Sequence, residues 1–293
     1  MNSANLENLV NPANLENLVN PANLVNPMNP VLLDHAERVR PAAYWELLMN
    51  LTRREVKGRY SQSLFGIGWA IAQPLATMAV FTLVFSRLAN IVADGVPYPV
   101  FAYAGLVPWF FFLNSVNSGT MSLIQYRNIV TKTYFPREII PLAQVSSRLV
   151  DLGAASALVA VLMVSYRIAP TRWLALLPVL FVLLIAFTIA VTLLTSAVNV
   201  FYRDVNPVVQ IGLQLWLYVT PIAYPFSKVP AQWRPLIAAN PLSGIIEGFR
   251  SAAVYGREPD WMLLGASAAV TGALLVGAFV LFKQLDKYFA DVI

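Results

Sequence analysis

Trp173–Val200 reads WLALLPVLFVLLIAFTIAVTLLTSAVNV, without one Asp, Glu, Lys or Arg. A helix that crosses a bilayer needs about 20 mostly apolar residues. In hydrocarbon every backbone N–H and C=O must be paired inside the protein, so a run of this kind is a helix. Similar runs lie on both sides of it. Gly66–Val92, Phe101–Ile124 and Leu149–Ile168 precede it, and Val205–Tyr224 and Trp261–Phe282 follow. The expected fold is therefore all-α: a polytopic membrane protein with six transmembrane helices. Composition agrees. The 293 residues are 58% hydrophobic and 12% charged, with a mean hydropathy of +0.61. A soluble domain carries about a quarter charged residues.

The chain has no cysteine, which excludes disulfides, zinc–thiolate sites and cysteine nucleophiles. Its one histidine, His35, stands in a polar stretch and cannot build a histidine-rich metal site. The net charge is +5. In a membrane protein such an excess reports topology rather than nucleic-acid binding. Arg38, Arg40, Arg53, Arg54, Lys57 and Arg59 precede the first span. Arg127, Lys132 and Arg137, then Arg203, then Lys283 and Lys287 fall on the same side. The opposite side holds fewer: Arg167, Arg172, Lys228, Arg234, Arg250 and Arg257. Positive charge gathers on the cytoplasmic side, so both termini are expected there.

Three domains are expected. Residues 1–30 repeat NLENLVNPA and then shorten it to NLVNP. The prolines break any helical stripe and the repeat is too short for a solenoid, so this is a disordered tail. Residues 31–65 hold an amphipathic interface helix. Tyr44, Leu47, Leu48 and Leu51 form one face, and Glu46, Asn50, Arg53, Arg54 and Lys57 the other. That pattern lies along a membrane surface, either as an anchor or as one wall of an entrance. Residues 66–293 are the six-span domain.

Within that domain, Pro221, Pro225 and Pro230 interrupt the chain after the fifth span. Asn240 then suits a helix cap, with Pro241 in the first turn. Leu242, Ile245, Ile246, Phe249 and Ala253 form an apolar stripe, with Glu247 and Arg250 off it. Two short re-entrant helices in the outer leaflet are expected before the last span. Irregular backbone at that depth is tolerated against protein or a water-filled cavity. The aromatics Trp109, Phe110, Phe111 and Phe112, with Tyr98, Trp216, Tyr218 and Tyr224, suit either an interfacial belt or surfaces on which sugar rings stack. The basic, aromatic segment Gln125–Pro141 suits a docking loop. Arg87 lies near a span end, as do Arg148 and Asp151, which are spaced for a local ion pair or for a role inside the membrane.

Several motifs resemble one family. Arg59-Tyr60-Ser61-Gln62-Ser63-Leu64-Phe65-Gly66, then Trp69, Pro74-Leu75 and Val80-Phe81, resemble the start of the polysaccharide-export permeases of ABC transporters. Phe65, between Leu64 and Gly66, is a one-residue departure from that family's R-Y-x-x-S-x-L-G. Gly105–Phe112, Phe135–Glu138, Tyr202–Val205, Thr220–Pro225 and Asn240–Arg250 resemble its later signatures, in order and between the same spans.

The resemblance implies a homodimer with its pathway at the seam, joined by two copies of a separate ATPase. It implies a bacterial inner-membrane location and a lipid-linked polysaccharide cargo, O-antigen first, with capsule, teichoic acid or a small lipid or drug as alternatives. No G-x-x-x-x-G-K-[ST] loop occurs, so the chain is expected to hold no cofactor, with ATP and Mg on the partner. Sugar contact is then expected from Trp109, Phe110, Phe111, Phe112, Trp216, Tyr218 and Tyr224. ATPase contact is expected from Arg127, Lys132, Tyr134 and Arg137. Entrance and gate roles fall to Tyr44, Arg53, Arg54, Arg59, Tyr60, Pro221, Glu247 and Arg250. The rival is a glycosyltransferase using a polyprenyl-linked sugar. Its chemistry needs clustered carboxylates, whereas the acidic residues here are scattered.

Overall fold

The computed structural model describes residues 41–61, 65–90, 93, 95–132 and 135–292. The repeat tail, His35, Arg38, Arg40 and Tyr134 lie outside the described residues. Two compact units are distinguished, 1–45 and 46–293. Of the first, the described part is the helical stretch 41–45.

All regular structure among the described residues is helical. Helix α1 is Pro41–Tyr60, and α2 is Gly68–Phe81, continued by a wider π turn over Thr82–Leu88. Next come α3 (Tyr98–Gln125), the short α4 (Arg127–Lys132), α5 (Ile139–Ser147) and α6 (Leu149–Ser165). Helices α7 (Leu177–Phe201) and α8 (Val205–Val219) follow. After them come α9 (Arg234–Ala238), α10 (Pro241–Phe249), α11 (Trp261–Asp286) and a final turn, α12 (Phe289–Val292).

Helix α3 is the hub. Within its most apolar window 78% of residues are buried, and it packs on α2, α5, α6, α7, α8 and α10. It approaches α7 closely at Gly119, where a Cβ would lie 2.1 Å from Thr192 Cγ2. At the next residue, Thr120 Oγ1 donates to Thr195 Oγ1 at 2.8 Å, and Asn199 Nδ2 donates to the Thr120 carbonyl at 3.0 Å. A small residue lets the two backbones approach, and side-chain hydrogen bonds hold them there.

Among the described residues, five helices are long and apolar enough to cross a membrane: Gly68–Leu88, Tyr98–Gln125, Ile139–Ser165, Arg172–Phe201 and Trp261–Asp286. Two boundaries differ from expectation. The third span starts at Ile139, ten residues before Leu149. Pro141 sits in the first turn of α5, where an N–H has no partner to lose, so it opens the helix instead of marking a loop. The fifth apolar run yields only the 15-residue α8. At 1.5 Å per residue it spans about 22 Å, short of the roughly 30 Å hydrocarbon core. Thr220 turns extended, and Pro221 follows.

The amphipathic pattern of α1 is realised. Leu48 is buried and Tyr44, Leu47 and Leu51 are half-buried, while Glu46, Asn50, Arg53, Arg54 and Lys57 are exposed. Asn240 caps α10 by accepting from the Leu242 N–H at 3.1 Å, and Asp260 caps α11 in the same way.

Candidate functional site

Two places combine polar chemistry with irregular backbone. The first is the break after α8. Arg250, in the π turn that continues α10, is fully buried. Its Nε donates to the Phe101 carbonyl at 3.2 Å, Nη1 to the Pro221 carbonyl at 2.6 Å and Nη2 to the Ile222 carbonyl at 2.5 Å. The guanidinium also lies over the Phe101 ring, 3.6 Å from its centroid. One side chain thus satisfies carbonyls on α3 and in the broken segment, using the planar fork that lysine lacks. Gly105 makes room for it: a Cβ there would sit 2.4 Å from Nη2. Tyr98 donates to the Ala223 carbonyl at 2.7 Å, and Asn240 Nδ2 to Thr220 Oγ1 at 2.9 Å. Arg250 and Glu247 were expected off the buried face, but all of α10 is buried. Arg250 is therefore an internal clamp. Glu247 faces Arg257, at 3.4 Å.

The second place is a cleft bordered by α1, α2, α3 and α6. Arg59, Tyr60, Trp69, Gln73, Asn114, Arg148 and Asp151 are among its lining residues, and it encloses about 140 Å³. Asp151 Oδ2 accepts from Arg59 Nη1 at 3.3 Å and from Arg148 Nη1 at 3.2 Å. Its Oδ1 accepts from the Tyr60 hydroxyl. Arg59 Nη2 also reaches Ser147 Oγ at 2.8 Å. Burial lowers the Arg59 pKa from its ordinary value, and the Asp151 and Glu55 carboxylates oppose that. Glu55, one turn before Arg59, accepts from Tyr126. Burial, helped by this hydrogen bond, pushes the Tyr126 phenol up to about 12. The spacing of Arg148 and Asp151 was readable as a local pair. Arg59, 92 positions from Asp151, was not. Gln73 and Asn114 were passed over, although a polar side chain inside an apolar run is itself a signal.

The remaining residues divide. Trp109, Phe111 and Phe112 are buried in the protein's own core. Phe112 stacks on Phe187 at 5.3 Å and meets the edge of Trp216, also at 5.3 Å. Their faces are filled by neighbours within this chain. Phe110, Trp216 and Tyr224 are half-buried, and Tyr218 is exposed. Arg137 is taken up internally: it donates to the Asp286 carboxylate at 3.2 Å and to the Asp286 backbone carbonyl. Next to it Lys283 pairs with Glu138 at 2.6 Å. These contacts join the loop to the end of α11. Arg127 is exposed, and the Lys132 side chain lies outside the described residues. Arg53 and Arg54 are exposed, Arg54 lying over the Tyr126 ring at 5.4 Å, and Pro221 is buried in the break.

A family model described as ABC-2 type transporter matches residues 46–254, which include both places. The chain belongs to the ABC-2 transporter membrane family. It is 32% identical over 253 residues to the O-antigen export system permease protein RfbA of Myxococcus xanthus, covering 85% of this chain and 96% of that one. A Klebsiella pneumoniae protein of the same description is 30% identical over 252 residues, covering 85% and 95%. The polysialic acid transport protein KpsM of Escherichia coli is 23% identical over 238 residues, covering 80% and 91%. This ABC-2 chain is thus a multi-pass membrane protein of a transporter family, and it covers 95–96% of the length of those two export permeases.

Proposed function

We propose that this chain is the channel-forming subunit of an ATP-driven exporter. It moves a lipid-linked polysaccharide, O-antigen first, from the cytoplasmic to the outer face of a bacterial inner membrane. The observation that carries this is the match to O-antigen export permeases over 95–96% of their length. The polysialic acid relative supports capsule polymer as the second cargo.

The working unit is a homodimer with two ATPase subunits, which bind ATP and Mg, and both termini face the cytoplasm. Exposed Arg127, with its neighbours in 125–134, meets the ATPase. Helix α8 and the broken segment complete a sixth crossing, and α9 and α10 re-enter from the outer side. Val208, Ile211, Leu215 and Tyr218 form an exposed stripe on α8 that faces the twin subunit or the passage between the two. Trp216, on the same helix, Tyr224 and Phe110 are half-buried and keep part of their aromatic surface free. ATP-driven closure of the partner favours one of two conformations. The Arg59–Asp151 bridge makes α1 and the third span move together, while the Arg250 clamp holds the outer break. Deleting the gene should leave polymer inside the cell and none at the surface, and plasmid expression should restore it. Unchanged surface polymer in the deletion strain contradicts the proposal.

A further inference from the structure

A groove of about 280 Å³ runs between α3, α6 and the start of α7. Helix α6 gives it the face from Ser156 to Val164, about 12 Å of wall at 1.5 Å per residue. Pro108 of α3 and Phe181 of α7 line it too, as do Phe249 and Ala253, which flank Arg250 in the chain. Phe181 meets Phe249 edge to face, with ring centroids 4.9 Å apart. Ser156 is the single polar side chain among the described residues of the lining. Water is a poor occupant, since it needs two to four polar partners. A sugar fails for the same reason, because its hydroxyls would be buried without hydrogen bonds. The volume lies near the lower end of ligand pockets, roughly 300–1000 Å³.

The surface on either side of the groove belongs to two membrane spans, with Val161 and Val164 exposed on α6 and Val179 and Val182 on α7. A long apolar groove in that setting meets lipid tails. At the end of α6 away from Asp151, residues 166–176 hold two exposed arginines, Arg167 and Arg172, and no acid. They stand beside Ile168, Pro170 and Leu174 of the lining. Arg167 has a φ of 55°, a left-handed conformation that helix ends usually give to Gly or Asn. A cation held there against that preference suits an anionic headgroup at the mouth of the groove. We propose that the groove binds one acyl chain of an anionic phospholipid, whose headgroup meets Arg167 and Arg172. The acyl chain backs the turn that carries Arg250, a π turn of the kind that often marks functional positions.

This site does not depend on the cargo, and its test reads lipid binding rather than export, so either can fail alone. Purified full-length protein is given phosphatidylglycerol with a diazirine in its acyl chain, illuminated, and digested for mass spectrometry. Label should concentrate on 156–164 and 249–253, and excess plain phosphatidylglycerol should displace it. Phosphatidylcholine with the same probe should label there about fivefold less. The double change Arg167→Gln and Arg172→Gln should bring phosphatidylglycerol down to that level. Ala160→Trp fills the groove from an exposed position and should abolish the label, as should Val164→Trp at the rim. Ala157→Trp, exposed but outside the lining, should label as the parent does. Hydrogen exchange over 249–255 should slow when phosphatidylglycerol is added to delipidated parent, but not to Ala160→Trp. Label on the parent that cannot be displaced, or that spreads evenly along α6 and α7, overturns the proposal. So does displacement by a polyprenyl phosphate alone, which would give the groove to the carrier of the cargo. Cross-linking of two copies through Val164→Cys would give it to the twin subunit, and equally overturns the proposal.

Discussion

Arg250 is the residue that holds the break after α8. It satisfies two backbone carbonyls that the break after α8 would otherwise leave bare, those of Pro221 and Ile222, and ties them to the Phe101 carbonyl on α3. Hydrogen bonds to a charged group contribute roughly 1.5–3 kcal/mol each, and orphaned buried carbonyls add to the loss. Arg250→Met should therefore lower the unfolding free energy by about 3 kcal/mol or more, measured by titration into denaturing detergent. Arg250→Lys should recover only part of this, because an ammonium cannot span the three acceptors. Stability equal to the parent in both variants would remove the clamp. Phe112 makes a contrasting prediction. Phe112→Ala should cost about 3–5 kcal/mol, as for any large aromatic removed from a core. Tyr218→Ala should leave stability unchanged and affect export alone. If Phe112→Ala were fully stable yet blocked export, the stacking role would return to that residue.

At the scale of elements, the bridge between α1 and the third span should show as coupling. In a double-mutant cycle, Arg59→Gln and Asp151→Asn should be non-additive by about 0.5–3 kcal/mol. Hydrogen exchange over 46–60 should quicken in either variant. Strict additivity with unchanged exchange would mean that α1 is held by its apolar face alone. The elements were legible where one physical signal dominated. Long uncharged runs gave the spans, and Asn240-Pro241 gave the start of α10. The ends were less legible. Pro141 looks the same at a loop as in a first helical turn, and the apolar letters after Val219 continue although the helix stops. Arg250 falls off the helical stripe of α10 yet is buried, because its partners come from Phe101 and Pro221, far away in the chain. The Arg59–Asp151 contact was invisible for the same reason. The burial of Trp109 and Phe112 depended on Phe187 and Trp216 arriving from other helices.

For the whole molecule, the proposal is that this ABC-2 chain forms a passage that works only with a twin subunit and an ATPase. The absence of cysteine makes the twin easy to probe. Single cysteines at Ile211 or Leu215 should cross-link two copies under mild oxidation in native membranes. Cysteine at Val164, an exposed position on α6, should not. Cross-linking at Val164 alone would place the seam on another face. The most direct measurement uses proteoliposomes holding this chain and its ATPase, with lipid-linked polysaccharide on one leaflet. The polysaccharide should reach the other leaflet, as detected by a lectin or a glycosidase, when ATP is supplied. It should not do so with this chain alone or with an ATPase unable to hydrolyse ATP. Polysaccharide crossing at the same rate without ATP would contradict the account.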